Sequence, residues 1–526
     1  MRRYIITLVL SLWIAQLFGD NRVSDTLQNV CFPVIETPVW YTSTVHGKDY
    51  LVFIERSDSL NIKGHYMTLG AKTDTLPFQM EAQGANVMLY YNGIKDILQP
   101  HIVTMDSQQG KGYAQSSVLD SVIFRYKAHK APTFHDFENN RYQDTLFAVE
   151  EISDIPYANV RGFWSTLSEK TDATEKIQQM GNALSEIPLE LRLNVFRPQD
   201  DTLQKRPMVM LIHGGAFYFG SKDNPSITRW CRHLASKGYV AVSIDYRMGF
   251  IPTLASIGRA GYRAIQDAHA AMRFMVAHQE EYGIDTSMMF VGGASAGAIT
   301  SLNLAFMTNE TRPEYSRGGF LRPELGDIDT CGNNIRTDFH IKGIVDMWGA
   351  MPDTSMLHNH DIPILAFHGD ADDIVPYGHD HPFGAAGGLK TLLTEKMFGS
   401  SCIVDRAIKL GHKAELVTFS GYKHSPHLNP ETKELNENFY IIQDKMSEFF
   451  YDIIMPEQLE IIEKGSSYSL YPQPVATSWQ VEGGIILSEK ENHVKVQWFK
   501  NAPKRSITAS AILPYGLGIK TTKTLD

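Results

Sequence analysis

Ser287-Met288-Met289-Phe290-Val291-Gly292-Gly293-Ala294-Ser295-Ala296-Gly297-Ala298 is the stretch that decides how the middle of this chain folds. Met288 to Val291 is a short apolar run, and Ala298 to Met307 is compatible with a helix. Between them, Gly293-Ala294-Ser295-Ala296-Gly297 has the spacing of a sharp strand-to-helix turn with a serine at its tip. Small residues on either side let the backbone close on itself and leave the hydroxyl exposed. A helix starting behind Ser295 offers free N–H groups to a developing negative charge. The spacing predicts a nucleophile at Ser295.

The same pattern repeats on both sides. Met208 to Ile212, Val240 to Ile244, Ile341 to Val345, Ile364 to Phe367 and Ala414 to Phe419 are further short apolar runs. Runs that are apolar on both faces suit a parallel sheet covered on both sides by helices. One covering helix is predicted from Arg259 to Tyr282. There Ile265, Ala268, Met272, Met275 and Val276 share a face, and Gly283 is a stop signal. Strands alternating with helices imply an α/β domain from about 146 to 455.

A second glycine-rich turn ends the run Met208 to Ile212. In His213-Gly214-Gly215-Ala216-Phe217, consecutive glycines free backbone N–H groups to face an oxyanion. This loop resembles the H-G-G-G/A segment of carboxylesterases and hormone-sensitive-lipase-like enzymes. With the Gly293 to Gly297 elbow, the chain resembles secreted bacterial esterases and lipases of the α/β-hydrolase fold. The resemblance implies that the amides of Gly215, Ala216 and Ala296 form the oxyanion hole, with His213 and Gly214 supporting the loop.

A serine hydroxyl needs a base, and the base an acid to hold it. The family order is Ser, then Asp or Glu, then His. His368-Gly369-Asp370-Ala371-Asp372-Asp373-Ile374-Val375-Pro376 resembles the family segment H-G-x-x-D-x-x-V-P, which aligns its acid with Asp372 rather than Asp370 or Asp373. Gly421-Tyr422-Lys423-His424 matches the family's G-x-x-H, with His427 as the rival base. The histidines in His379-Asp380-His381 and His358-Asn359-His360-Asp361 lack the spacing of a helical metal motif. The reading requires no metal and no cofactor.

The chain has 526 residues and a formal net charge of -10, with no long basic run. That excludes the clustered Lys and Arg of a nucleic-acid partner. Arg2 and Arg3, the apolar run Tyr4 to Phe18 and then Gly19 have the form of a signal peptide over 1–19, so secretion or cell-surface exposure is expected. Cys31, Cys231, Cys331 and Cys402 allow three full disulfide pairings, with none favoured.

Residues 20–145 carry strand signals at Tyr50 to Ile54, Asn86 to Tyr91 and Val118 to Tyr126, and an all-β domain is expected there. Residues 456–526 return to β character. Trp479 to Gly484 and Val494 to Trp498 resemble pieces of a PKD-like β-sandwich. The expected partner is a small-molecule or acylated-polymer ester, with cell-surface or glycan attachment assigned to the flanking β domains. Two alternatives stay open: an exported peptidase of the prolyl-oligopeptidase type, and a surface adhesion protein with a vestigial hydrolase core. Against the first, Ala296 rather than Tyr follows Ser295, and 20–145 is too short for several propeller blades.

Overall fold

The structure, a computed structural model, describes residues 39–45, 48–57, 61–68, 76–83, 86–91, 94–105, 109–116, 122–129, 137, 139–167, 186–250, 254–319, 323–384, 394–499, 502 and 504–525. The expected signal peptide at 1–19 and Cys31 lie outside the described residues. So do the first four residues of the strand expected from Val118.

The first element is a closed antiparallel barrel of eight strands: β1 (Val39–Val45), β2 (Lys48–Ser57), β3 (Asn61–Thr68), β4 (Leu76–Gln83), β5 (Asn86–Tyr91), β6 (Ile94–Met105), β7 (Gln109–Ser116) and β8 (Val122–His129). Each strand pairs with the next in sequence, and β1 returns to β8 with Trp40 opposite His129. Closure leaves no unpaired edge.

The α/β-hydrolase unit is built on an eight-stranded sheet. Its strands are β9 (Val149–Gly162), β10 (Ile187–Pro198), β11 (Arg206–Ile212), β12 (Val240–Ile244), β13 (Ile284–Ala294), β14 (Ile341–Met347), β16 (Ile364–Gly369) and β19 (Ala414–Phe419), in the spatial order β19-β16-β14-β13-β11-β12-β10-β9. β9 and β10 form an antiparallel edge, and β10 also runs antiparallel to β12. From β12 onward all pairings are parallel. Every residue of β11 and β12 is buried, as a sheet covered on both faces demands. Three short strands, β15 (Ala350–Met351), β17 (His379–Asp380) and β18 (Met397–Gly399), form a separate small sheet.

Among the described residues the α-helices are α1 (Pro225–Lys237), α2 (Leu254–Ala277), α3 (Gln279–Tyr282), α4 (Ala296–Phe306), α5 (Ser400–Lys409) and α6 (Glu437–Ile454). α1 shows why its ends fall where they do. The Asn224 side chain accepts from the amides of Ser226 and Ile227, and Pro225 fills the first helical position. Gly238 then ends the helix at φ 116°. The single helix expected from Arg259 to Tyr282 begins at Leu254 and is interrupted at His278, whose amide still reaches Phe274 O at 3.1 Å.

The C-terminal strands β20 (Glu460–Lys464), β21 (Ser467–Tyr471), β22 (Ala476–Glu482), β23 (Gly484–Lys490), β24 (His493–Trp498), β25 (Arg505–Ile512) and β26 (Gly518–Leu525) form two sheets, β20-β21-β24-β23 and β22-β25-β26. Trp479, Tyr468, Val494, Val496 and Ile507 are buried, giving a small β-sandwich. Ile512–Gly518 belongs to the same compact unit as Asn139–Gln458. Tyr142 Oη donates to Tyr515 O, Asn139 Nδ2 donates to Gly516 O at 2.9 Å, and Tyr515 Oη donates to Ile454 O at 2.7 Å. Aromatic burial anchors this return segment, and the polar 139–145 stretch gave no sign of it.

Candidate active site

Ser295 sits between β13 and α4 at φ 56° and ψ -118°. A non-glycine residue at positive φ is strained by about 1–3 kcal/mol, held there by its surroundings. The surroundings are visible. A methyl group added at Gly297 would lie 2.1 Å from Ile212 O, and one at Gly293 would lie 2.5 Å from the carbonyl carbon of Gly297. Only glycine lets β11, β13 and the start of α4 meet this closely. The Ser295 amide is tied to Met347 O at 2.9 Å, fixing the elbow to the end of β14.

Three side chains expected from the sequence come together at this tip. His424 Nε2 lies 2.9 Å from Ser295 Oγ, and His424 Nδ1 lies 2.7 Å from Asp372 Oδ2. Asp372 stands in the loop after β16, and its side chain is fully buried. Its Oδ1 accepts from the amides of Ile374 at 2.8 Å and Val375 at 3.0 Å. Burial works to raise this carboxyl, but hydrogen bonds from His368, His424 and Ile374 outweigh it and hold the group well below the usual carboxylate range.

The rival residues have other partners. Asp373 pairs with the exposed Lys423 at 3.0 Å. Asp370 accepts from the Gly421 amide at 2.6 Å and from Ser420 Oγ at 3.0 Å, so it ties down the turn that carries His424. His427 is a core residue. It stacks on Trp348 with centroids 4.9 Å apart, and its Nε2 meets Ser226 Oγ at 3.0 Å. Burial pushes its pKa down to about 3, so it stays neutral.

The glycine-rich loop lies beside the elbow. Gly214 packs so close that an added methyl would be 3.1 Å from Ser295 Cβ. Gly215, Ala216 and Phe217 all take positive φ, at 116°, 53° and 59°. At Gly215 an added methyl would strike Phe219 O, which curls back over the loop. Among the described residues nothing accepts from the amides of Gly215, Ala216 or Ala296. Ala296 is the first residue of α4, where free N–H groups are expected. His213 stacks on Tyr246 with centroids 4.4 Å apart, and Tyr246 Oη donates to His213 O at 3.0 Å. Desolvation pushes His213 down to about 4, so the ring is a neutral prop.

Ser295 and Ala296 open onto a mainly apolar pocket lined by Phe217, Ile265, Ile299, Met307, Val375 and Phe383, with Tyr315, Asn303 and Thr394 among its polar members. No motif in the sequence marks these walls, which come from stretches of chain far apart in sequence. Behind Asp372 stand His368, marked in the sequence only as the first residue of the His368 to Pro376 segment, and Ser400 and Asp346, which no motif marks. Among the described residues no group of three or more His, Cys, Asp or Glu side chains is arranged to hold a metal. Cys231, Cys331 and Cys402 are free.

Residues 193–360 match the esterase family BD-FAE of α/β-hydrolases, a range that holds Ser295 and the Gly215 loop and ends before Asp372. The chain is 31% identical over 130 residues to gut esterase 1 of Caenorhabditis elegans, covering 24% of this chain and 22% of that protein. It is 33% identical over 100 residues to esterase LipI of Mycobacterium tuberculosis, covering 19% and 28%. The matched stretch thus spans about a quarter of these relatives. Among solved structures, the propionate-bound esterase Est2 of Thermogutta terrifontis is 19% identical with a TM-score of 0.36, covering 51% of this chain and 93% of that one. A truncated carbohydrate esterase from gut microbiota is 18% identical with a TM-score of 0.37, covering 59% and 98%.

Proposed function

We propose that this chain hydrolyses carboxylic esters through an acyl-enzyme formed on Ser295. The observation that carries the reading is the row Ser295 Oγ, His424 and Asp372, joined at 2.9 and 2.7 Å beside three amides that have no acceptor among the described residues. His424 Nε2 takes the hydroxyl proton as Oγ attacks the ester carbonyl carbon. The carbonyl oxygen gains charge and is met by the N–H groups of Gly215, Ala216 and Ala296. Collapse expels the alcohol, which receives the proton from His424. Water then repeats the sequence on the acyl group. Asp372 holds Nδ1–H of His424 and stabilises the imidazolium. The local similarity to proteins named esterases supports an ester over an amide.

The same reading makes the enzyme a secreted or surface protein whose substrate is a small or polymer-borne ester. The Arg2-Arg3 start and the apolar run to Phe18 support export. The barrel and the C-terminal sandwich, PKD-like in sequence, would then serve attachment to a cell surface or a glycan. The test of the chemistry is Ser295→Ala assayed with 4-nitrophenyl acetate and butyrate. Turnover should fall to the small remainder left by oxyanion and binding contacts. Turnover close to that of the unaltered enzyme would overturn the assignment.

A further inference from the structure

Behind Asp372 the hydrogen-bonded row continues into the core. His368, on β16, has Nε2 3.2 Å from Asp372 Oδ2 and 3.2 Å from Val375 O. Its Nδ1 lies 2.7 Å from Ser400 Oγ, at the start of α5. Ser400 Oγ in turn lies 2.7 Å from Asp346 Oδ2, at the end of β14. Asp346 Oδ1 accepts from the Gly349 amide at 2.7 Å. His368, Ser400 and Asp346 are all completely buried. Among the described residues Tyr377 is a further titratable neighbour, its ring edge-on to His368 at 5.6 Å.

A proton count makes the arrangement specific. Nε2 of His368 faces two acceptors, so it carries a hydrogen. Ser400 has one hydrogen but stands between a ring nitrogen and a carboxylate. One more proton must therefore lie on Nδ1 or on Asp346. We propose that His368 is a positioning residue for ester hydrolysis, an imidazolium in the resting enzyme that shares its Nδ1 proton with Asp346 through Ser400 and so sets the charge felt by Asp372 and His424. The transfer is balanced. Nδ1–H passes its proton to Ser400 Oγ, and Ser400 passes its own to Asp346 Oδ2. Imidazolium and carboxylate become imidazole and carboxylic acid, with no change in net charge. Burial raises the Asp346 carboxyl above its ordinary value, with the Ser400 hydroxyl, His368 and the Gly349 amide acting against it, so Asp346 is a fit acceptor for that proton. When His424 takes the proton of Ser295, this shift removes a positive charge from the far side of Asp372.

This inference rests on the proposed triad. The test is the acid limb of kcat/KM, which reports loss of a proton from His424 in the free enzyme. In Asp346→Asn the amide oxygen can keep Gly349, and its NH2 can donate to Ser400. The Ser400 hydroxyl then donates to Nδ1 and leaves His368 neutral. Asp372 then holds the His424 proton more tightly, and the limb should move to higher pH by about half a unit or more. His368→Gln should move it the same way. A lowered kcat with an unmoved limb in both variants would overturn the proposal. Nitrogen-15 spectra of the unaltered enzyme, labelled in histidine, decide the matter should the variants fail to fold. Both ring nitrogens of His368 protonated near neutral pH support it, and a neutral ring overturns it. Undiminished turnover in Ser295→Ala would instead remove the triad reading itself.

Discussion

Asp372→Asn is the sharpest single test of the site, because the structure dictates how the new amide must sit. Asp372 Oδ1 accepts from two backbone amides, Ile374 and Val375, at 2.8 and 3.0 Å. An asparagine must put its oxygen there, since an NH2 group facing two N–H donors would leave all three unpaired. Its NH2 is then forced to the Oδ2 position, 2.7 Å from His424 Nδ1. That nitrogen becomes the acceptor, and the proton of the neutral ring moves to Nε2. Nε2 then faces Ser295 Oγ as a donor and cannot take the hydroxyl proton. A wrong tautomer in otherwise intact geometry lowers kcat by about 10⁴ in serine hydrolases of the same design, or about 5 kcal/mol of barrier. Initial rates on 4-nitrophenyl acetate, with far-UV circular dichroism to confirm folding, measure the loss. A folded variant within about tenfold of the unaltered enzyme would refute the tautomer argument. Stability carries a second signature. The folded-state pKa of Asp372 is depressed. Its stabilisation is therefore present above the unfolded value of about 3.9 and is lost as pH falls from there toward the folded value. The variant should lack that segment of the acid-unfolding curve.

How much of this was legible in the sequence follows the distance between the residues involved. The elbow is local. A strand, two glycines around Ser295 and a helix lie in one continuous stretch from Ile284 to Phe306, and the structure draws them as β13 and α4. Asp372 follows the buried strand β16 and His424 follows the edge strand β19, so the topology brings their loops to the same end of the sheet. Asp346 and Ser400 are different. They lie 54 residues apart in sequence, and Ser400 has no local signature beyond being a serine at a helix start. β9 and β10 were missed for another reason. They form the antiparallel edge, β9 is mostly exposed or half-buried, β10 is continuously buried only from Leu193 to Phe196, and two bulges and Pro156 interrupt the pattern, so neither reads as a continuous apolar run. In the barrel three of the strands are picked out from the sequence, although Val39–Val45 carries the same β-branched and aromatic signal. Others, such as Gln109–Ser116, are polar and glycine-containing and take their strand pairing from their neighbours.

The remaining predictions test parts of the site and its frame. His424→Ala should abolish hydrolysis, while His427→Ala should keep most of it and cost about 2 kcal/mol of stability from the Trp348 stack, read by activity and thermal unfolding. The reverse ranking would exchange their roles. Gly297→Ala should cost about a hundredfold in kcat, because the new methyl must push Ile212 O and with it displace the Ser295 tip. A crystal structure with an unmoved elbow and full activity would refute this. The return segment is tested by Tyr515→Ala. Tyr515 is 8% exposed, donates through its hydroxyl to Ile454 O at 2.7 Å, and accepts on its carbonyl from Tyr142. Ile454 ends α6, and Tyr142 packs on Tyr239 just ahead of β12, so the Tyr515 side chain holds α6 while its backbone carbonyl holds Tyr142. Removing it takes away a large aromatic surface and leaves the Ile454 carbonyl without that donor, a loss of about 3 kcal/mol. A fragment of 139–458 alone loses the whole of Ile512–Gly518 and should be less stable still, measured by urea midpoints at matched slope. Equal midpoints for the fragment and the full chain would show that the return segment only rests on the unit and does not complete its core.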